Sequence, residues 1–229
     1  MFFWWDPTYI IVVPALLLAL WAQFKVKKTF HKYSRYRTGS GKTAHQVADE
    51  ILRAYGLSGI RIEKIAGKLT DHYDPKNRVL RLSENVYDSQ SIAAIGVAAH
   101  EAGHAIQHAK NYAPVMLRNS LVPAVNLTSW AAFPLLLIGF LFHTQFLIHL
   151  GILFFTGVVL FQLVTLPVEI DASSRALKIL KSGFMSPGEV KGARKVLNAA
   201  AMTYIAAALT AILHLIRLLI LSGILGEDR

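Results

Sequence analysis

Residues 97–109 read VAAHEAGHAIQHA, three histidines and one glutamate set into a run of small apolar residues. Alanine, valine and isoleucine on every face predict a helix buried on most sides. His100 and His104 are four residues apart, so on a helix they project from one face about 6 Å apart along the axis. Two imidazoles at that spacing can converge on one ion through zinc–nitrogen bonds of about 2.0–2.1 Å. Glu101 sits beside His100 and points partly sideways, where a carboxylate can hydrogen-bond a metal-held water without binding the metal. This is the H-E-x-x-H arrangement, whose residue types carry zinc-assisted hydrolysis. The alternative is a pair of core histidines beside a satisfied glutamate. A buried carboxylate costs several kcal/mol unless paired, and Ala98, Ala99, Ala102, Gly103 and Ala105 offer it no cation. The metal reading is therefore preferred. His108 lies about 12 Å along the axis from His100, too far to share its ion, and is read as structural or as a support outside the ligand set.

Outward from this helix the chain is strongly apolar. Of 229 residues 54% are hydrophobic and 17% charged, a balance that points to a membrane protein. The net charge is +10, but no basic run interleaves with aromatics in a nucleic-acid-binding pattern, so nucleic acid is excluded as a partner. There is no cysteine, which removes disulfides and thiolate ligands. Four segments approach the roughly 20 apolar residues that a bilayer requires: Thr8–Phe24, about Leu121–Phe142, about Phe146–Leu166 and Ala201–Gly223. Arg217 in the last is expected to snorkel, and Pro14, Pro123 and Pro134 to bend their helices. The first segment follows Asp6 and precedes its positive charges, so it is read as an anchor and not a cleaved signal.

Lysine and arginine set the orientation. Residues 25–119 hold 16 of them against 8 acids, and residues 167–199 hold 6 against 3. The N-terminal stub has only Asp6, the 143–145 turn has no Lys or Arg, and the tail reads GEDR. The predicted topology is N-out and C-out, multi-pass in a plasma membrane, with both basic segments in the cytoplasm. KVKKTFHKYSRYR, after the first span, reads as a membrane-surface stop signal.

Within the cytoplasmic segments, TAHQVADEILRAY predicts a helix capped at Thr43 and stopped by Gly56. Alternation at Ile60, Ile62 and Ile65 predicts a strand, Val79–Ser83 a second, and Asp74–Asn77 a turn, giving a β-hairpin or small sheet. Ser89 or Ser91 caps the histidine helix. VEIDASSRALKILKSG reads as a helix entering from the third span and stopped by Gly183. Ser186, Pro187 and Glu189 form a capping box that opens a helix through about Ala199.

A catalytic zinc takes three protein ligands and leaves one position open. Without cysteine the third must be a distant His, Asp or Glu on the cytoplasmic side. Glu169, just past the third span, is the best candidate, because an unpaired acid at the membrane edge is costly. His72 and Asp74 are its rivals. Topology removes His143, His149 and His214.

The chain resembles the YugP-type neutral zinc metallopeptidases of bacterial membranes along almost its whole length. The resemblance is carried by DPTYIIVVPALLLALWAQFKVKKTF, LTDHYDP, RLSENVY, SIAAIGVAAHEAGHAIQHA and LPVEIDASSRAL. It implies a mainly α, integral membrane fold, with four transmembrane helices and a cytoplasmic gluzincin-like α+β metalloprotease domain built from two chain segments. Expected regions are an anchor (1–24), a catalytic segment (25–119), a transmembrane hairpin (120–166), a segment bearing the third ligand (167–199), and a last transmembrane helix with a short tail (200–229). The resemblance further implies one Zn2+ per chain, His100, His104 and Glu169 as ligands, and Glu101 as catalytic acid/base. More remotely the chain is similar to HtpX-like membrane proteases, which carry E-x-x-A-D at the third ligand. Here the stretch reads E-I-D-A-S, so Ser173 stands in for that acid and Asp171 is an alternative support. His72, Tyr73 and Tyr204 are candidate oxyanion donors.

The expected activity is zinc-dependent endopeptidase hydrolysis at the cytoplasmic membrane surface. Glu101 would take the proton of a zinc-activated water and pass it to the leaving amine. An edge strand from the 60–83 region could bind an extended substrate. The partners implied are the membrane and a peptide or membrane-protein substrate; protein partners are unreadable. The alternative is a non-proteolytic membrane scaffold or regulatory protein with a structural zinc site, closed by a fourth ligand such as His72 or Asp171.

Overall fold

The structure, a computed structural model, describes residues 7–225. Asp6 and the GEDR tail, both used for the charge asymmetry, lie outside the described residues. The chain divides into two compact units. One comprises the chain up to Ala22, Leu117–Pro167 and the chain from Thr203 onward; the other comprises Gln23–Met116 and Val168–Met202.

The second unit carries the histidine helix. After α1 (Val13–Tyr33) comes α2 (Ala44–Ala54), where Thr43 N donates to Gln46 Oε1 at 2.9 Å and so closes the first turn. Gly56, at φ +73°, ends α2 as the sequence predicts. The strands β1 (Arg61–Ile65), β2 (His72–Asp74) and β3 (Val79–Ser83) form one sheet in the order β1-β3-β2. The predicted hairpin is re-partnered. Val79–Ser83 pairs parallel with Arg61–Ile65, and the Asp74–Asn77 turn joins it instead to the short β2, antiparallel, with Tyr73 opposite Leu80. Asp74 Oδ1 accepts from Lys76 N at 3.0 Å and Asn77 N at 3.1 Å, which is why this turn forms. The middle strand needs apolar residues along its length, and Val79, Leu80 and Leu82 are fully buried.

A single turn, α3 (Glu84–Tyr87), leads to α4 (Ile92–Ala109). Of the two candidate caps Ser91 takes the role: its Oγ accepts from Ala94 N at 3.2 Å, and Ser89 Oγ accepts from Ser91 N at 3.2 Å. Val47, Ala48, Ile51 and Leu52 of α2 share one core with Ile95, Ala98, Ala99, Ala102 and Ile106 of α4. Helices α5 (Ala113–Leu141), α6 (Gln145–Ile179) and α7 (Pro187–Leu221) follow, with a π turn Leu180–Phe184 between the last two. Gly183, at φ +145°, sits in that turn, so the predicted stop is where the chain reverses.

Glu189 closes the predicted box through Ser186 N at 2.7 Å and also accepts from Gly39 N at 2.7 Å. The helix it opens does not end near Ala199. It continues unbroken into the last apolar segment, because nothing in residues 199–201, Ala-Ala-Ala, can stop it. Likewise α6 is one helix through Pro167.

Among the described residues three helices are long and apolar enough to cross a membrane: Ala113–Leu141, Gln145–Phe184 and Pro187–Leu221. The first predicted span is divided between a 3-10 turn, Pro7–Ile11, and the start of α1, whose apolar part gives way to Lys25, Lys27 and Lys28 within the same helix. In the unit holding these apolar stretches, α5 and α6 approach closely. A β-carbon on Gly139 would lie 2.8 Å from Ile148 N, and one on Gly151 2.7 Å from Leu136 Cγ; small residues permit such contacts between apolar helices. Arg217 does not simply snorkel. Its Nε donates to Thr8 Oγ1 at 3.0 Å and its guanidinium lies 3.8 Å from the centroid of the Tyr9 ring.

One contact fixes α4 against the later part of α6. A β-carbon on Gly103 would lie 2.8 Å from Ala172 O, whereas one on Gly96 would meet Ala193 Cβ at an ordinary 3.5 Å. Gly103→Ala should therefore destabilise the protein by about 1–3 kcal/mol, read as a lower melting temperature in detergent. Gly96→Ala should be neutral or stabilising, since alanine is the better helix former.

Candidate metal centre

The register of two helices assembles the centre. His100 and His104 occupy successive turns of one face of α4, and Glu169 enters from α6. Their ligating atoms all lie within 4.8 Å of one another. His100 Nε2 and His104 Nε2 are 3.2 Å apart, and Glu169 Oε2 lies 3.3 Å from the first and 3.6 Å from the second. Two ligands held at about 2.0–2.1 Å from a tetrahedral zinc are themselves about 3.3–3.4 Å apart. The three atoms thus outline one face of a zinc tetrahedron. The donor set, two imidazoles and a carboxylate, also suits zinc.

Partners on the far side of each ring leave Nε2 available. Ser173 Oγ lies 3.1 Å from His100 Nδ1, and Gln107 Oε1 lies 3.0 Å from His104 Nδ1. Such outer hydrogen bonds orient ligand histidines, and a partner that can only accept also selects the tautomer. Both rings are mostly shielded, with side-chain exposures of 13% and 16%, and Glu169 is at 6%. Burial opposes the charged form of His104, but its hydrogen bond to Glu169 and the nearby charge of Glu101 outweigh that, raising its pKa above the ordinary imidazole value. A pocket that favours a proton this way also favours a cation.

Glu101 is 8% exposed and, among the described residues, its carboxylate has no hydrogen-bonding or ion-pair partner. It is therefore available to hold a water. The rivals for the third ligand are committed elsewhere. His72 is exposed, its Nδ1–H donates to Thr70 O at 2.8 Å, and its Nε2 faces Arg81 at 3.4 Å. Asp74 caps its turn and accepts from Arg81 at 2.9 Å; hydrogen bonds from Asn77, and then from Arg81, hold its pKa well below the usual carboxylate range. Tyr73 Oη lies 3.2 Å from His108 Nδ1, which gives His108 its structural role. Burial pushes the Tyr73 phenol up, so it keeps its proton. Tyr204 belongs to the other unit.

Of the two groups proposed to support a ligand histidine, Ser173 reaches His100 directly, while Asp171 reaches Gln107 at 2.8 Å. Gln107 itself was not predicted. Its only signal in the sequence is its place three residues after His104 on a helix, where side chains meet.

Over residues 8–223 the chain matches the protein family described as "Putative neutral zinc metallopeptidase". The chain belongs to that family. It is 50% identical over 208 residues to "Putative membrane protease YugP" of Bacillus subtilis (strain 168), a match covering 90% of this chain and 92% of that protein. No solved structure matches. The resemblance read from the motifs is thus the family relationship found by comparison, and a family of zinc peptidases agrees with the donor set at His100, His104 and Glu169.

If Glu169 is the third ligand, Glu169→Ala should weaken zinc binding by more than the roughly 100-fold that loss of an outer partner can cost. His72→Ala and Asp74→Ala should leave it unchanged. Metal titration of the stripped protein reads the difference.

Proposed function

We propose that the protein is a membrane-embedded, zinc-dependent endopeptidase that hydrolyses peptide bonds at the cytoplasmic membrane surface. The observation that carries this is the three-atom face formed by His100, His104 and Glu169, with the unpartnered carboxylate of Glu101 beside it. The family relationship and the membrane protease YugP support the same reading.

His100, His104 and Glu169 would hold the zinc. When bound, the ion supplies Lewis acidity, acidifying water towards neutrality and polarising a peptide carbonyl. Glu101 orients that water, takes its proton on a carboxylate oxygen, and delivers it to the leaving amine nitrogen. Among the proposed oxyanion donors Tyr73 is a protonated phenol on β2 whose Oη lies 3.2 Å from His108 Nδ1, and His72 is turned towards Thr70 and Arg81. In the sheet β2 pairs on one side only, with β3. Its other edge offers backbone groups to an extended peptide, whose binding would add a strand.

The reading includes four spans, N-out and C-out, with the metal site in the cytoplasm. Arg217 near the end of α7 engages Thr8 and Tyr9 at the start of the described chain. That pairing supports α1 as a fourth span running antiparallel to α7. The two basic segments then share one side, where Lys and Arg are retained. A scaffold with a closed zinc site would need a fourth protein ligand. Among the described residues the metal-type cluster is His100, His104 and Glu169, and Asp171 is engaged with Gln107 and Arg175.

Glu101→Gln should keep zinc while lowering peptide hydrolysis about 10²–10⁴-fold, the usual worth of a positioned general base. Activity retained at matched zinc content would refute the mechanism. For the topology, a cysteine at Thr144 should react with an impermeant reagent from outside, and cysteines at Lys42 and Lys191 only from the cytoplasm. Lys42 and Lys191 on opposite faces would remove one of the four spans.

A further inference from the structure

Gln107 is a fully buried polar side chain that the H-E-x-x-H pattern does not use. An amide has one donor end and one acceptor end, and here the surroundings dictate which way it points. Its nitrogen lies 2.8 Å from Val168 O and 2.8 Å from Asp171 Oδ2. A carbonyl and a carboxylate only accept, so both amide hydrogens are directed at them. Asp171 receives a further donor, Arg175 Nε, and the Arg175 guanidinium lies 5.5 Å from the centroid of the Tyr112 ring. Turning the amide over would set its oxygen against two acceptors.

The amide oxygen therefore faces His104 Nδ1, 3.0 Å away, and can only accept. To donate to it His104 carries a proton on Nδ1, against the competing acceptor Glu169, 3.6 Å from Nε2; in the neutral ring the Nδ1–H form leaves the lone pair on Nε2. At His100 the corresponding partner is the Ser173 hydroxyl, which can donate or accept and imposes no tautomer alone. Val168 immediately precedes Glu169. One side chain thus bonds a ligand ring and the backbone beside another ligand.

We propose that Gln107 is a positioning residue: it fixes the tautomer of His104 and holds the Glu169 segment in register with it, with Asp171 and Arg175 locking the amide. This deepens, and rests on, the assignment of His100, His104 and Glu169 as metal ligands. It assigns Asp171 a task two hydrogen bonds removed from His104, which explains an acid that no ligand histidine touches.

The test uses full-length protein in detergent, stripped of metal, with nitrogen-15 in its histidines, at a pH high enough that the ring signals no longer change with pH. Ring nitrogen shifts report the tautomer, and Ser173→Ala assigns the His100 ring. In the wild type His104 should be protonated on Nδ1. In Gln107→Leu it should shift towards the Nε2–H form that free imidazole prefers, with a smaller change at His100, whose Nε2 lies 3.2 Å from that of His104, and zinc affinity should fall about 10–100-fold. Gln107→Glu keeps an acceptor for Nδ1 but sets a second oxygen against Val168 O and Asp171, so it should retain the Nδ1–H form while zinc affinity falls. Wild-type His104 protonated on Nε2 would overturn the proposal, as would a Gln107→Leu variant with unchanged tautomer. Equal disturbance of both rings would mean a merely structural role and would also overturn it. If Gln107→Leu does not fold, the wild type and Gln107→Glu decide. If the tautomer result holds while zinc-loaded wild type cleaves no peptide, the positioning stands and the protease reading alone fails.

Discussion

The backbone of α4 touches the backbone of α6 at Gly103 and Ala172, and the site depends on that contact. A methyl group at position 103 would sit 2.8 Å from a carbonyl oxygen, closer than real side chains come. With hydrogen there, Glu169 reaches within 3.3–3.6 Å of two imidazoles that precede it by more than sixty residues. The alanines of the histidine helix serve the same end. Ala98, Ala99, Ala102 and Ala105 are fully buried, as are Ala172 and Ala176 opposite. Small residues bring helices together, and closeness is what a three-ligand site needs.

Closeness creates an electrostatic problem that the polar residues resolve. Glu101 and Glu169 are both buried, at 8% and 4% exposure, and two carboxylates in one apolar core repel and lose hydration. The imidazoles compensate Glu169, and a divalent cation would compensate both acids together. The supporting groups are neutral where they meet the rings, a hydroxyl at His100 and an amide at His104. They orient the two rings without adding further negative charge. The formal charge of Asp171 is met by Arg175 before it reaches the site.

Much of this was legible in the residues. The helix caps at Ser91 and Glu189, the stop at Gly183 and the turn at Asp74 all follow from local chemistry, which acts over three or four residues. The H-E-x-x-H face was legible for the same reason. Glu169 could be singled out only because an acid beside an apolar run needs a reason to be there. The parallel pairing of β1 with β3 was hidden, since strands of equal apolar character carry no label for their partner, and His72–Asp74 is too short to show a period. The continuity of α7 was hidden as well: polarity changes sharply near Ala199, but the backbone has no cause to stop. Gln107 escaped notice because a buried amide is defined by its partners, Val168 and Asp171, which come from a distant segment. Arg217 was read as a lone charge because Thr8 and Tyr9 lie two hundred residues away in sequence.

His100, His104 and Glu169 are proposed to form an open zinc site. X-ray absorption of the zinc-loaded protein, recorded with and without a small thiol inhibitor, tests it most directly, because the chain has no cysteine and a zinc–sulfur signal can come only from the inhibitor. One zinc per chain is expected, held by two imidazoles and oxygen donors at about 2.0–2.2 Å, with one sulfur at about 2.3 Å appearing when the thiol is added. Three imidazoles in the shell, or a shell that the thiol leaves unchanged, would contradict it.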